Sequence, residues 1–98
     1  MRHQTTQELQ ERFAAIEAGA VDSWSNLWLV ESLWQLGQMV ALKLGPRDDL
    51  VAQLTELSTS AFDARAKDIP KIVARLASVR VRVITKLSQR AATETERA

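Results

Sequence analysis

Chemistry at neutral pH needs a proton carrier, a nucleophile or a set of metal donors, and this chain is poor in all three. It has one histidine, His3, and no cysteine. A His-based triad, a His-rich metal site, a thiolate nucleophile and a Cys-based zinc site therefore have no residues to build them. His3 stands three residues from the start, where a solvated end group is expected. Paired carboxylates can do acid–base work, and two pairs are close in sequence. Asp48 and Asp49 precede an apolar run and read as charges capping a helix start. Glu8 and Glu11, three apart, read as exposed residues early in another helix. None of the patterns GxGxxG, GxxxxGK[ST] or HExxH occurs. The inventory points to a protein that is not an enzyme, with no cofactor and no metal.

Two charges sit where apolar residues are expected. In helical projection Glu31 falls between Trp28 and Trp34, and Arg80 falls inside the apolar face of the last helix, between Leu76/Leu87 and Val73. Charges withdrawn from water need partners. A contact between Arg80 and Glu31 would satisfy both, and the alternative is that Arg80 snorkels its head to solvent.

Lys67, Lys71, Arg75, Arg82, Lys86 and Arg90 line one side of the last helix over an arc of about 140°. Such a face can track nucleic-acid phosphates, meet an acidic surface, or simply be solvated. The formal net charge is only +1, but it is unevenly spread. Residues 1–61 carry four basic against eight acidic side chains, and residues 62–90 carry eight basic against two acidic. The opposed parts can pair within the fold, between subunits or with a charged partner. No aromatic RNA-binding signature or zinc finger accompanies the basic face. Leu44-Gly45-Pro46-Arg47 is a tight turn, but the segment before it is too long and too apolar for a helix-turn-helix.

The three tryptophans all lie in one stretch, Trp24 to Leu44, WSNLWLVESLWQLGQMVALKL. At about 100° per residue, Leu27, Leu29, Val30, Leu33, Trp34, Leu36, Gly37, Val40, Ala41 and Leu44 make one broad apolar arc. Trp24, Trp28, Met39 and Leu42 share the other side with Glu31, Gln35 and Gln38. A helix with two apolar sectors is central to a bundle or buried against a partner. The expectation is that Trp34 lies in the core. The Trp24, Trp28, Glu31, Gln35, Gln38, Met39 and Leu42 side is expected to form a protein interface. A pocket for an apolar ligand, enclosed between two subunits, is the remaining use for such a cluster.

The elements that must position these residues are helical. Thr5 with Glu8 has capping-box spacing, and Leu9, Phe13, Ile16 and Ala20 form one stripe. Gly19 is expected to end that first helix, and Asp22 or Ser23 to cap the second. The second stops at Leu44-Gly45-Pro46. Asp48 caps a third helix with the stripe Leu50, Leu54, Leu57 and Ala61, and Ser58-Thr59-Ser60 is either a break or a solvated turn within it. Asp68 caps the last, with Pro70 in its first turn. Its seam is Ile69, Leu76, Val79, Val83 and Leu87, widened by Ile72, Val73 and Ile84. The alternation Val79-Arg80-Val81-Arg82-Val83-Ile84 has strand character, but a lone strand has nothing to pair with, so helix is expected.

Ninety-eight residues make one domain, with a modest core and polar ends at 1–4 and 91–98 expected to lack order. Glu31, Gln35 and Gln38 interrupt the apolar run and argue against a transmembrane segment. The acidic residues ahead of it argue against a signal peptide. The fold class is all-α, a compact three- or four-helix bundle with a long apolar second helix and a long basic last helix. The functional expectation is a cytoplasmic interaction module, an oligomerising adaptor, small regulatory inhibitor or structural subunit, with a second copy of itself (a homodimer) as the favoured partner. A DNA-associated regulator using the basic face is the alternative.

Overall fold

The structure, a computed structural model, describes residues 2–97, with side chains over 6–93. The expectation for the His3 side chain therefore lies outside the described residues. Four α-helices follow one another: α1 (Arg2–Asp22), α2 (Asn26–Leu44), α3 (Asp49–Ala61) and α4 (Ile69–Arg97), with a short 3-10 turn at Ala66–Asp68 before α4. No strand occurs among the described residues, and Val79–Ile84 is helical. Both ends expected to lack order carry helix, since α1 begins at Arg2 and α4 runs to Arg97. α2, at 19 residues, is shorter than α1 and α4, so the second helix is not the long element of the fold.

The helices close into a ring in which α1 packs on α4 and α2, and α3 packs on α2 and α4. Local chemistry fixes the up-down-up-down course. Gly45 ends α2 with φ 100°, and its N–H donates to the Ala41 carbonyl at 2.8 Å; only glycine takes that conformation without strain. Asp48 caps α3 by accepting from the Leu50 N–H at 2.8 Å. At the far end, the Asn26 amide donates to the carbonyls of Ala61 and Ala64 at 2.9 and 2.8 Å. The first residue of α2 thus ties down the turn after α3, where the Ala61 carbonyl also accepts from the Ala64 N–H at 3.3 Å. Ser58, which is buried, donates its hydroxyl to the Val30 carbonyl at 2.9 Å. That bond lets α3 run unbroken through Ser58-Thr59-Ser60.

Three of the helices bring expected stripes to the core, which α2 completes with Leu29, Leu33, Leu36, Val40 and Leu44. Leu9, Phe13, Ile16 and Ala20 of α1, Leu50, Leu54, Leu57 and Ala61 of α3, and Ile69, Ile72, Leu76, Val79 and Val83 of α4 are all buried. Four boundary features differ from expectation: α1 starts at Arg2, ahead of the expected Thr5 cap, Asp68 does not cap α4, and the α1–α2 connection shifts at both ends. α1 does not stop at Gly19 but continues to Asp22, and α2 is capped by Ser25, whose hydroxyl accepts from the Trp28 N–H at 3.2 Å. Asp68 turns back to accept from the Arg65 N–H at 2.9 Å and so closes the 3-10 turn that leads into α4.

Candidate functional site

α2 places its side chains in a rotation different from the one expected. Its buried residues are Leu29, Leu33, Leu36, Gly37, Val40 and Leu44. Trp28 and Met39, together with Trp24 in the connection before the helix, are partly buried and pack on the core. The inward face is therefore turned by roughly 60° toward Trp28 and Met39, because α1 covers that side. Gly19 makes the close approach: a Cβ there would lie 2.6 Å from the outer edge of the Trp28 ring. The glycine read as a helix stop is a seat for an indole.

The rotation expels the other edge of the apolar arc. Leu27 is 69% exposed, Trp34 56% and Leu42 85%. Trp34 is thus not a core residue, which corrects the sequence expectation. Glu31, Gln35 and Gln38 are exposed beside them, on one outward stripe of α2. Four of the seven residues expected at a protein interface, Glu31, Gln35, Gln38 and Leu42, lie on this stripe. Trp28 and Met39 lie instead on the flank toward α1, and Trp24 packs on the core from the connection before α2. Leu27 and Trp34 were missed as surface residues because an apolar arc wider than one face does not say which edge is left out.

The charged oddities resolve inside the chain. Arg80 meets Glu17 of α1, not Glu31, with Nε 3.1 Å from Oε2 and the side chains 31% and 17% exposed. The contact is an ion pair without aligned hydrogen-bond geometry, and both atoms are shielded from water with no other partner. Lys86 Nζ donates to Asp48 Oδ2 at 2.8 Å, where the Asp48 side chain is 8% exposed. That bond to Lys86 is the main reason the Asp48 carboxyl is held below its ordinary value; burial opposes it, and the Leu50 N–H and the charges of Lys86 and Arg90 reinforce it. Arg90 donates to the Lys43 carbonyl at 3.0 Å, at the end of α2. Arg75 approaches Glu56 at 3.6 Å on the surface. These three ion pairs all join the basic last part of the chain to its acidic first part.

Half of the expected basic contact face is consequently engaged within the fold. Lys67, Lys71 and Arg82 make no ion pair among the described residues, and all are exposed. An open groove of about 270 Å³ beside Arg82 is lined by Asp49, Leu50, Val81, Thr85 and Lys86 as well. A second groove, of about 390 Å³, runs between α1 and α2 along Glu8, Glu11, Arg12, Ala15 and Met39. Both have charged walls, and neither gathers the tryptophans into a pocket. No helix among the described residues is long and apolar enough to cross a membrane. No protein-family model matches the chain, and no characterised protein or solved structure is significantly similar to it.

Proposed function

We propose that this chain is a non-enzymatic helical interaction module that works by holding another protein chain against the outward stripe of α2. One observation carries the reading: Leu27, Trp34 and Leu42 stay exposed on one face of a helix whose opposite face is fully buried. Together they expose roughly 300–400 Å² of apolar surface, the size of the largest patch on a typical monomer, which is often a binding site. Tryptophan at the middle of such a face is the residue type that most often dominates interface energetics. Glu31, Gln35 and Gln38 between the apolar residues supply hydrogen-bonding groups that fix register without adding a second apolar layer.

The test compares three full-length chains expressed with a tag and isolated after cross-linking. Wild type should appear in a complex heavier than its own 11.0 kDa. The triple variant Leu27→Ser/Trp34→Ser/Leu42→Ser should lose that complex while keeping its helical circular dichroism. A control, Val21→Ser/Phe62→Ser/Val81→Ser, removes exposed apolar residues from α1, the end of α3 and α4, and should retain it. A complex indifferent to the α2 triple change, or lost equally in the control, refutes the assignment of this face.

A further inference from the structure

We infer that the partner on this face is a second copy of the chain, docked antiparallel about a two-fold axis that passes between Trp34 and Gln35. The inference rests on the interaction reading above and names its occupant. The exposed stripe is Leu27, Glu31, Trp34, Gln35, Gln38 and Leu42, with successive spacings of four, three, one, three and four. That sequence of spacings reads the same in both directions.

An isologous interface brings residue i onto j and j onto i. Rotation about the midpoint of this stripe sets Leu27 on the second copy's Leu42 and Glu31 on its Gln38, and gathers both Trp34 rings and both Gln35 side chains beside the axis. The Leu27–Leu42 and Glu31–Gln38 pairings are chemically matched. Leucine meets leucine, and the Glu31 carboxylate accepts from the Gln38 amide. The tryptophans, the largest apolar groups on the face, meet where both copies exclude water.

Charge decides the direction. A parallel, in-register pairing would put Glu31 against Glu31, a like-charge contact that interfaces avoid, whereas the antiparallel one separates them. The stripe runs from Leu27 to Leu42, about 22 Å along α2, so the helix face alone offers less than the roughly 800 Å² a side of a standard stable interface, and the dimer belongs at the weak end of the range. The pairing is closed, so it yields dimers and no open filament.

The chain has no cysteine, so single-cysteine variants report the geometry directly. In the antiparallel dimer Gln35→Cys lies at the axis and should cross-link to itself under mild oxidation or with a short bismaleimide. Leu42→Cys lies about 22 Å along the helix from its own copy, beyond the roughly 7 Å that a disulfide spans, and should not. An equimolar mixture of Leu27→Cys and Leu42→Cys chains should cross-link. Wild type should sediment as a dimer at tens of micromolar, and Trp34→Ser should weaken dimerisation at least about tenfold without loss of helix. Self-cross-linking of Leu42→Cys in preference to Gln35→Cys would overturn the antiparallel register. A purified wild type that stays monomeric at 100 µM would overturn self-association altogether. If the cross-linked complex then still depended on the α2 stripe, the interaction reading would stand with a different partner; if it did not, both would fall.

Discussion

Replacing Gly19 by alanine separates two physical effects that pull in opposite directions. Gly19 lies inside α1, where exchanging glycine for alanine ordinarily stabilises a helix by about 1 kcal/mol. The added methyl, however, would lie 2.6 and 2.9 Å from two ring carbons of Trp28. Those are the outer atoms of the indole, but the ring is rigid, and its base is fixed on α2 where the Trp28 N–H is held by Ser25. It must rotate away or push α1 off α2, and overpacking of this kind costs about 1–3 kcal/mol. The net expectation is a destabilisation of about 1 kcal/mol, or some 4–8 °C in melting temperature for a domain of this size. In a Trp28→Ala background the clash is gone, and the same Gly19→Ala change should stabilise by about 1 kcal/mol. The double-mutant cycle should thus give a coupling of about 2 kcal/mol and a reversal of sign. Urea unfolding followed by circular dichroism at 222 nm measures all four corners. If Gly19→Ala stabilises both backgrounds equally, Trp28 does not rest on α1, and the rotation of α2 inferred from it is wrong.

Four other changes have defined outcomes. The Asp48 carboxyl is held below its ordinary 3.8, so its contribution is present above about pH 4 and lost as pH falls through the lower folded-state value; Asp48→Asn should flatten the acid limb of the stability curve, and an unchanged limb would contradict the Lys86 contact. Glu17→Ala should cost about 1–3 kcal/mol by leaving Arg80 shielded and unpaired, while the double change Glu17→Leu/Arg80→Met should recover most of it; equal losses in single and double variants, by urea titration, would rule out coupling. Trp34→Ala should cost under about 1 kcal/mol of subunit stability, not the several expected of a core aromatic, when unfolding is followed below the dimerisation range. Duplex DNA should bind weakly or not at all near physiological salt, because Arg75, Lys86 and Arg90 already serve internal contacts; sub-micromolar affinity lost on Lys71→Glu/Arg82→Glu would favour the nucleic-acid alternative.

Most of the architecture could be read from the chain because three of its helices have one apolar stripe each. A single stripe has one way to face a core, so Leu9/Phe13/Ile16/Ala20, Leu50/Leu54/Leu57/Ala61 and the α4 seam as far as Val83 were legible residue by residue; Leu87, expected in that seam, is only partly buried. The turn at Gly45-Pro46 and the Asp48 cap were equally plain, because each satisfies a backbone requirement that few residues meet. Gly19 shows the limit. A glycine near the end of an apolar pattern signals a stop, but the same residue also permits a close approach, and only the position of a side chain on another helix tells the two apart. Arg80 was legible as a charge inside an apolar face, yet its partner was not, since Glu17 belongs to a helix whose rotation relative to α4 is a tertiary property.

α2 was the hardest element for the same reason, and it is the one that carries the proposed interaction stripe. Its apolar residues span more of the circumference than a bundle position can bury, so packing by neighbours had to choose which to cover. α1 made the choice, because Gly19 opens room for an indole on the Trp28 side, where a Cβ would come within 2.6 Å of the ring, whereas a Cβ on Gly37 of α2 would meet the Leu54 Cβ of α3 at an ordinary 3.7 Å. Covering Trp28 and Met39 uncovered Leu27 and Trp34, and joined them to Leu42 on one outward line with Glu31, Gln35 and Gln38. The apolar excess visible in the sequence is therefore real and is displaced by about a sixth of a helix turn from where periodicity alone put it. A helix required only for this subunit's core would gain nothing from tryptophan at position 34 and would lose solubility by it. The residue makes sense where water is excluded from that face, which is the condition the proposed second copy would supply.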